Sequence, residues 1–250
     1  MTNQVTDIWR HPIKSHGREL LDTVTMIAGQ TMPGDRVWAV AHEAAKADGT
    51  QWAPCANFSR GSKAPDLMAI STRLDDASGR VTLNHPNRPE FSFGPEDARD
   101  LPGFLDWVKP LMPANRAASA RIIRVLDRGM TDTDYPSVTL CNLASHRAVE
   151  QAIGHDLSPL RWRGNIWFDL GEAWAENDWI DRSVQIGEAV FKIRERVVRC
   201  LATTANPKTG VRDADTLKVL KDTWGHQDFS VYAEVIRGGA IKTGDAVKVL

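Results

Sequence analysis

The sequence lacks the cysteine spacings that hold small metal or redox domains together. Its three cysteines, Cys55, Cys141 and Cys200, lie far apart, and no C-x-x-C pair occurs in the 250 residues. A zinc ribbon, a thioredoxin-like motif and a disulfide framework are therefore not expected. The default expectation is a cytoplasmic protein with reduced thiols.

Long apolar runs and an excess of one charge are also missing. The first residues, MTNQVTDIWRHPIKS, contain no apolar segment of the kind found in secretory signals. No run of about 18 apolar residues occurs, so we expect no membrane span. The 31 basic and 32 acidic residues give a formal net charge of −1, which offers no global basic surface for nucleic acid. An anionic ligand would need a local cluster of cations.

Common catalytic signatures are absent as well. The seven histidines form no H-E-x-x-H motif and no grouping with cysteine. The sequence contains no Walker-type phosphate loop, no G-x-G-x-x-G fingerprint and no G-x-S-x-G elbow. These absences leave little support for a zinc protease, a nucleotide-binding domain or an α/β-hydrolase.

Short strands separated by turns dominate the first half of the chain. A Pro-Gly-Asp turn feeds a β-branched and aromatic run within residues 29–40, and residues 69–74 and 80–83 flank a turn as a hairpin would. This spacing favours a barrel or sandwich over βαβ units. Residues 101–108 form a short helix candidate ended by Pro110, and the loop at 113–115 predicts a junction near residue 115.

The second half contains one clear helix signal. Residues 142–153 begin at Asn142, a capping residue, and end at Gly154. A second helix is predicted over 213–222, because its apolar residues share one face. Strands are predicted at 165–169, 184–186, 189–193, 197–201, 229–236 and 246–250. The fold class expected is mainly β with a few helices (α+β), with domains at 1–115 and 116–250.

Two clusters of cations could meet an anionic ligand. Lys14 and Arg36 lie near turns, with Ser15 as an extra hydroxyl donor, and such donors suit a phosphate or a pterin oxygen. They could equally be solvated surface charges. Arg161 and Arg163 alternate before an apolar run, so in an extended strand they would point the same way. The alternative for this pair is a polar strand edge.

A third cluster surrounds Cys200, in the segment RCLATTANPKTG. The cysteine ends an apolar run and is preceded by Arg196 and Arg199. A neighbouring cation lowers the pKa of a thiol and favours the thiolate, which binds soft metals and attacks sulfur. The commoner fate of a lone cysteine is an inert, buried position.

Five segments in this order resemble the MOSC superfamily, named after the C-terminal domain of molybdenum cofactor sulfurase. They are PIKS with the following GDRVW, then RWRGNIWFDLGEAWAENDW, IGEAVFKI, RCLATTANPKTG and VYAEVIRGGAIKTGDAVKVL. No single segment is decisive, but the ordered set covers nearly the whole chain, least well from 40 to 120. The two-domain arrangement is similar to that of the amidoxime-reducing members of the family. The resemblance implies an N-terminal β-barrel-like domain packed on a MOSC β-barrel.

The resemblance also implies a cofactor and its ligands. Cys200 would be the molybdenum ligand and the catalytic residue of a molybdopterin site. The pterin and its phosphate would be held by residues from both halves of the chain, which are Lys14, Ser15, Arg36, Ser145, Arg163, Asn165, Arg199 and Thr203. Val198 stands where relatives place a small polar residue, which could alter the surroundings of the metal.

Two features of some relatives are missing from this sequence. The plant-type cysteine spacing of a C-terminal ferredoxin is absent, so we expect no Fe–S cluster in the chain and a separate electron donor, a ferredoxin or a flavoprotein. There is also no aminotransferase-like domain with a pyridoxal phosphate lysine, so a complete cofactor sulfurase is not expected.

Two functions remain open from the sequence. One is a molybdenum-dependent oxidoreductase that reduces N-oxygenated compounds. The other is a sulfur carrier or cofactor sulfuration module, in which Cys200 accepts a persulfide from a sulfur donor.

Overall fold

The computed structural model describes residues 3–250. In this range the chain forms 15 strands and three α-helices, with several short 3-10 turns. The strands are β1 (Gln4–Arg10), β2 (Glu19–Leu21), β3 (Thr23–Met26), β4 (Trp38–His42), β5 (Ser71–Asp75), β6 (Arg80–His85), β7 (Arg88–Phe93), β8 (Ser119–Arg124), β9 (Val138–Asn142), β10 (Ile166–Asp169), β11 (Ser183–Ile186), β12 (Ala189–Val198), β13 (Asp228–Arg237), β14 (Gly239–Lys242) and β15 (Val247–Val249). The helices are α1 (Leu101–Val108), α2 (Leu143–Ile153) and α3 (Thr216–Trp224). The predicted mainly β fold with a few helices is confirmed.

An eight-stranded sheet forms the larger half of the molecule. Its order is β15-β11-β12-β13-β9-β10-β1-β2, and all neighbours are antiparallel except β9 and β10. The sheet curls until β1 meets the chain before β15, where Gln4 pairs with Ala246. The side chains on its inner face, among them Ile8, Phe168 and Phe191, are fully buried in one apolar cluster. Curling lets this single sheet enclose its own core.

The smaller half packs two further sheets with α1. The meander β5-β6-β7 and the pair β4-β8 are antiparallel. Apolar side chains of these strands bury Phe93, Phe104 and Trp107 in a second core. The predicted hairpin and the predicted helix at 101–108 are both present.

The two halves share strands. β1 and β2 belong to the large sheet, and β3 pairs with β14 near the end of the chain. Conversely, β8 lies after the expected junction near residue 115 but pairs with β4. The sequence boundary at 115 therefore stays a prediction, and the spatial halves do not follow it strand by strand.

Helices α2 and α3 pack on the outside of the large sheet. The Asn142 side chain accepts a hydrogen bond from the Ala144 amide, and Gly154 ends α2 in the left-handed region, as the sequence predicts. α3 begins at Thr216 rather than at 213, because the carboxylate of Asp215 caps its first turn. Within residues 3–250, none of these helices has the length and apolar character needed to cross a membrane.

One local prediction was wrong, and the condition of another is not met. The sequence predicts separate strands at 189–193 and 197–201, but β12 runs unbroken from 189 to 198. The buried and exposed side chains do not alternate regularly along it, and its pairing with β13 contains bulges. Arg161 and Arg163 would point the same way if they lay in an extended strand. Residues Pro159–Trp162 instead form a 3-10 turn, and Arg163 ends it with φ of +52°. The extended conformation that this argument needs is therefore not present.

Candidate functional site

A cleft with a cavity volume of about 150 Å³ lies open to solvent where the two halves meet. Its lining comes from segments after β1, before β4 and between β4 and β5, and from the turns around Arg163 and Cys200. Six cationic side chains line it, which are Lys14, Arg36, Arg60, Arg161, Arg163 and Arg199. Among the lining residues the only carboxylate is that of Asp132. In a chain with net charge −1, this local excess of positive charge marks a site for an anion.

Lys14 and Ser15 reach the cleft from the turn that follows β1. The Lys14 amide donates to the carbonyl of Trp38, which ties this turn to β4. The Lys14 ammonium is buried, donates to the Met130 carbonyl at 2.7 Å and pairs with Asp132. Ser15 takes a left-handed conformation with φ of +64°. The charge of Lys14 is thus fixed in place rather than solvated.

Arg36 is held by an acid of its own. Its guanidinium pairs with the fully buried Asp35 and donates to the Arg163 carbonyl at 3.0 Å. Asp35 also accepts the His11 amide at 2.8 Å. Burial alone would raise the pKa of Asp35, but the adjacent Arg36 and the hydrogen bonds from His11 hold that pKa well below its usual range. Asp35 therefore stays ionised and keeps Arg36 oriented.

Arg163 differs from the other two cations because it has no carboxylate partner. Its Nη2 donates to the Gly17 carbonyl at 3.2 Å, whereas its Nη1 is buried and has no hydrogen-bond partner among residues 3–250. Burial, and then the charges of Arg36 and Arg18, lower the pKa of Arg163 to about 9. A buried, unsatisfied guanidinium nitrogen costs free energy. An anion in the cleft would remove that cost.

Cys200 lies two residues beyond the end of β12, and its side chain is exposed at the cleft. Its backbone is extended and leads into the 3-10 turn Leu201–Thr204. Cys141 offers a contrast, because burial raises the pKa of that thiol to about 12. Cys200 is therefore the accessible thiol, not the inert, buried residue that was the alternative from sequence.

The sequence suggested that the charge of Arg199 acts on the Cys200 thiol, but the hydrogen bonds of the Arg199 side chain go to other groups. The Arg199 guanidinium donates to the carbonyls of Phe229 and Trp162, at 2.9 and 2.8 Å, and to the Ser230 hydroxyl. Thr203 donates its hydroxyl to the Cys200 carbonyl at 3.1 Å. Both residues line the cleft, but their polar groups fix the backbone around Cys200.

The structure does not bring Ser145 and Asn165 to the cleft lining. The Ser145 hydroxyl, on α2, donates to the buried Glu176 and accepts the Trp174 amide at 2.8 Å. Asn165 is buried, and its side chain donates to the Trp9 carbonyl and accepts the Thr139 amide, each at 3.1 Å. Asn165 thus joins strands behind Arg36 and does not face a ligand.

Several lining residues were not singled out as site residues from the sequence. They are Cys55, Arg60, Gly61, Ser62, Asp132, Thr139, Arg161, Trp162, Val197, Ala202 and Tyr232. Arg161 was noted as a cation, and the structure shows it donating to the Thr203 carbonyl at 2.9 Å. Arg60 follows a loop with no recognisable motif, so only the tertiary fold brings it to the site.

Family comparisons agree with this architecture. Residues 2–104 match the MOSC N-terminal beta barrel domain, and residues 127–248 match the MOSC domain. Together the two matches cover most of the chain. The chain belongs to the family of proteins that combine a MOSC N-terminal β-barrel domain with a MOSC domain.

Individual relatives are distant. The chain is 25% identical over 286 aligned residues to the mitochondrial amidoxime-reducing component 1 of Danio rerio, an alignment that covers 97% of this chain and 83% of that protein. Among solved structures, the YuaD protein of Bacillus subtilis is 11% identical with a TM-score of 0.47, covering 98% of this chain and 94% of that one. YiiM from Geobacillus stearothermophilus is 15% identical with a TM-score of 0.36, covering 45% of this chain and 53% of that one.

Proposed function

We propose that the cleft binds a molybdenum cofactor and that the chain is a molybdenum-dependent oxidoreductase acting on N-oxygenated compounds. The observation that carries the proposal is that the exposed thiol of Cys200 opens into the same cleft as the unpartnered Nη1 of Arg163. A molybdopterin needs a soft ligand for its metal and cations for its phosphate. The residues present fit both demands.

The roles of the side chains follow from their contacts. Cys200 would be the metal ligand, and Arg163, Lys14 and Arg36 would bind the anionic phosphate and pterin oxygens, with Ser15 as a hydroxyl donor. Within residues 3–250 there is no group of three or more His, Cys, Asp or Glu side chains suited to a metal ion. The protein would thus add one thiolate to the ligands that the pterin brings.

The reaction balances as a two-electron reduction. An N–O bond breaks, two electrons and two protons are consumed, and water leaves together with the N-reduced product. When bound, the molybdenum centre would supply the oxygen-atom abstraction and the electron relay. The name of the Danio rerio relative, an amidoxime-reducing component, supports this substrate class. Electrons would come from a separate ferredoxin or flavoprotein.

Cofactor retention tests the proposal directly. Cys200→Ser is expected to lose its bound molybdenum and all reductase activity while the fold persists, because the exposed side chain changes little in volume. Metal analysis, fluorescence of the oxidised pterin and circular dichroism measure the three properties. Cys55→Ser is the matched control, since Cys55 lines the same cleft. Molybdenum bound equally by wild type and Cys200→Ser would contradict the ligand assignment.

A sulfur-carrier role is the second candidate, because the exposed thiol of Cys200 is accessible to a sulfur donor. After incubation with a cysteine desulfurase, a carrier would gain about 32 Da, the mass of one sulfur atom, on Cys200. Peptide mass spectrometry decides the point. An adduct that also forms on Cys200 in the molybdenum-loaded protein would favour the carrier over the reductase.

A further inference from the structure

Exposed apolar side chains are concentrated around Cys200. Among residues 3–250, eight large apolar side chains are exposed by about half or more, and three of these lie between positions 198 and 211. Val198 is 72% exposed, Leu201 49% and Val211 61%. Val198 lines the cleft together with Cys200, whereas Leu201 and Val211 do not. The apolar surface therefore continues from the opening of the cleft onto the outside of the molecule.

The loop before β5 packs against the turns that follow β12. Arg212 donates to the Leu201 carbonyl and, at 2.9 Å, to the Ser62 carbonyl, so these two carbonyl groups lie beside one guanidinium. Further along, a Cβ placed on Gly210 would lie only 2.6 Å from the Asp66 Cα. Because the two segments touch at both places, the exposed side chains between them lie on neighbouring surface.

The exposed charges of these two segments have one sign. Residues 49–65 contain two basic residues and no acidic one, and residues 196–212 contain four basic residues and no acidic one. The acids that follow the two segments, Asp66 and Asp213, are half-buried and ion-paired, respectively. We call the exposed group the rim patch, which consists of Lys63, Val198, Leu201, Lys208, Val211 and Arg212.

The cations of the rim patch have no acidic partner in the chain. Lys63 and Lys208 are exposed, and their side chains take part in no hydrogen bond or ion pair within the part of the chain that the structure describes. The side chain of Arg212 donates to two carbonyls and to the Thr204 hydroxyl, and not to a carboxylate. These charges are therefore available to an acidic surface outside the chain.

An apolar surface edged by unpaired cations fits a protein partner with an acidic surface. The charges would steer such a partner to the patch, and the apolar side chains would lose water on contact. A second copy of this chain does not fit, because two rim patches would bring like charges together. The small size of the patch suits a transient complex, since weak electron-transfer complexes bury less than about 1,200 Å² in total.

We propose that the rim patch docks an acidic one-electron carrier protein, the class that includes [2Fe–2S] ferredoxins. The inference rests on the proposed reductase function and names the surface through which its electrons arrive. Position favours such a carrier over other anionic surfaces, because the patch borders the exposed thiol of Cys200. Two reduced carriers would dock in turn and each lose one electron. These two electrons, with two protons, break the N–O bond and give the N-reduced product and water.

Carbodiimide coupling tests docking without turnover. The wild-type chain is treated with carbodiimide and an acidic plant-type [2Fe–2S] ferredoxin, and peptide mass spectrometry identifies the lysines joined to carboxylates of the ferredoxin. Lys63 and Lys208 should form most of the cross-links and lose them at high salt. The exposed Lys242 and Lys248 are controls, because β14 and β15 lie near the start of β12, away from Cys200. Cross-links that are absent, or spread equally over all four lysines, overturn the inference.

Charge reversal tests productive docking in the molybdenum-loaded protein, with benzamidoxime as substrate. Lys63→Glu/Lys208→Glu should lower kcat/KM for reduced ferredoxin about tenfold or more at low salt, mainly through KM, and should flatten its salt dependence. Lys242→Glu/Lys248→Glu carries the same change in net charge and should stay within about twofold of wild type. With saturating reduced methyl viologen, a small chemical reductant, all three proteins should turn over at the same rate within about twofold.

A single substitution tests the apolar part of the rim patch. Val211→Ser should raise KM for reduced ferredoxin about threefold and leave turnover with methyl viologen unchanged, because it removes apolar contact area without changing charge. Ile236→Ser is the matched control, since Ile236 is 52% exposed and lies near the start of β12. Equal effects of the two substitutions would contradict the apolar contact.

The outcomes separate this inference from the proposed function. If the loaded wild-type protein reduces no N-oxygenated compound with methyl viologen, the reductase proposal fails, and the cross-links alone decide whether the rim patch docks an acidic protein. If methyl viologen supports turnover and Lys63→Glu/Lys208→Glu leaves the ferredoxin-driven rate unchanged, the docking inference alone is overturned. If ferredoxin neither cross-links nor drives turnover, and the same variant loses sedimentation with phosphatidylglycerol vesicles, the patch contacts a membrane surface and the assignment of a protein partner is wrong.

Discussion

The cations that line the cleft are held in two opposite ways. On the N-terminal side, Lys14 and Arg36 are each paired with an aspartate, Asp132 and Asp35. On the C-terminal side, Arg163 has no acid, and its buried Nη1 has no hydrogen-bond partner within residues 3–250. A paired charge is an element of the fold, whereas an unpaired buried charge is stable only at a cost that a ligand can remove.

This difference distinguishes the cations that are positioned by the fold from the cation that should bind an anion most strongly. Lys14 and Arg36 are held by bonds to Met130 and Arg163 as well as by their acids. They are positioned before a ligand enters. Arg163 should contribute most of the change in free energy when an anion binds, because its charge is the least compensated in the empty cleft.

The largest expected effect comes from breaking the N-terminal pair. Asp35→Asn leaves Arg36 buried without its partner and should lower the free energy of unfolding by about 3–5 kcal/mol. Denaturant unfolding measures this. The partly exposed Asp97, which pairs with the exposed Arg99, supplies the control Asp97→Asn, for which little change is expected. If both substitutions lowered the free energy of unfolding equally, the buried Asp35–Arg36 pair would matter no more for stability than the Asp97–Arg99 pair, contrary to this expectation.

Lowering the pH should lower the free energy of unfolding through His11, which is hydrogen-bonded to Asp35. Burial, followed by the charges of Arg163 and Arg36, lowers the pKa of His11 from 6.5 to about 3. Because the folded pKa lies below the unfolded value, the neutral His11 contributes stability above pH 6.5 that is lost as the pH falls towards 3. His11 alone should lower the free energy of unfolding by roughly 1.4 kcal/mol per pH unit in this window. The buried His16, whose pKa is lowered by burial to about 4, adds to this slope. His11→Gln should flatten that slope and the exposed His155→Gln should not, as measured by denaturant unfolding at several pH values.

The smallest effect on stability is expected for the C-terminal cation. Arg163→Met removes an uncompensated charge and one hydrogen bond, so the free energy of unfolding should change by less than about 1 kcal/mol. Binding of inorganic phosphate, measured by calorimetry, should nevertheless weaken tenfold or more. A large loss of stability without a loss of phosphate binding would reverse the roles that we assign to the two sides.

Much of the fold can be predicted from local sequence patterns. The capping residue Asn142 and the terminating Gly154 place α2 correctly, and the turn within residues 75–79 places the hairpin β5-β6. These features depend on neighbours in the chain. The prediction of a break in β12 was wrong because β12 pairs with β13 along most of its length, and Arg194 pairs with Glu234 across these two strands.

The candidate site was predicted in part. Seven of the residues named from sequence line the cleft, which are Lys14, Ser15, Arg36, Arg163, Arg199, Cys200 and Thr203. Ser145 and Asn165 carry polar groups that the fold uses for internal bonds, and no sequence pattern distinguishes these uses. Arg60 and Cys55 lie in a loop without a motif, so their place in the lining of the cleft could not be anticipated.

The sequence by itself determined the family and the mainly β class, because each depends on ordered motifs or local patterns. It named Cys200 as a candidate, but only the structure shows that this thiol is exposed. Only the tertiary structure decided which cations are paired and which are free. For Lys14 that outcome depends on a distant residue, Asp132, whereas Arg36 pairs with its neighbour Asp35 and is oriented by the distant Arg163 carbonyl. When distant segments bury a charged side chain together with a partner, the charge stabilises the fold. When they bury it without one, the charge remains available to a ligand.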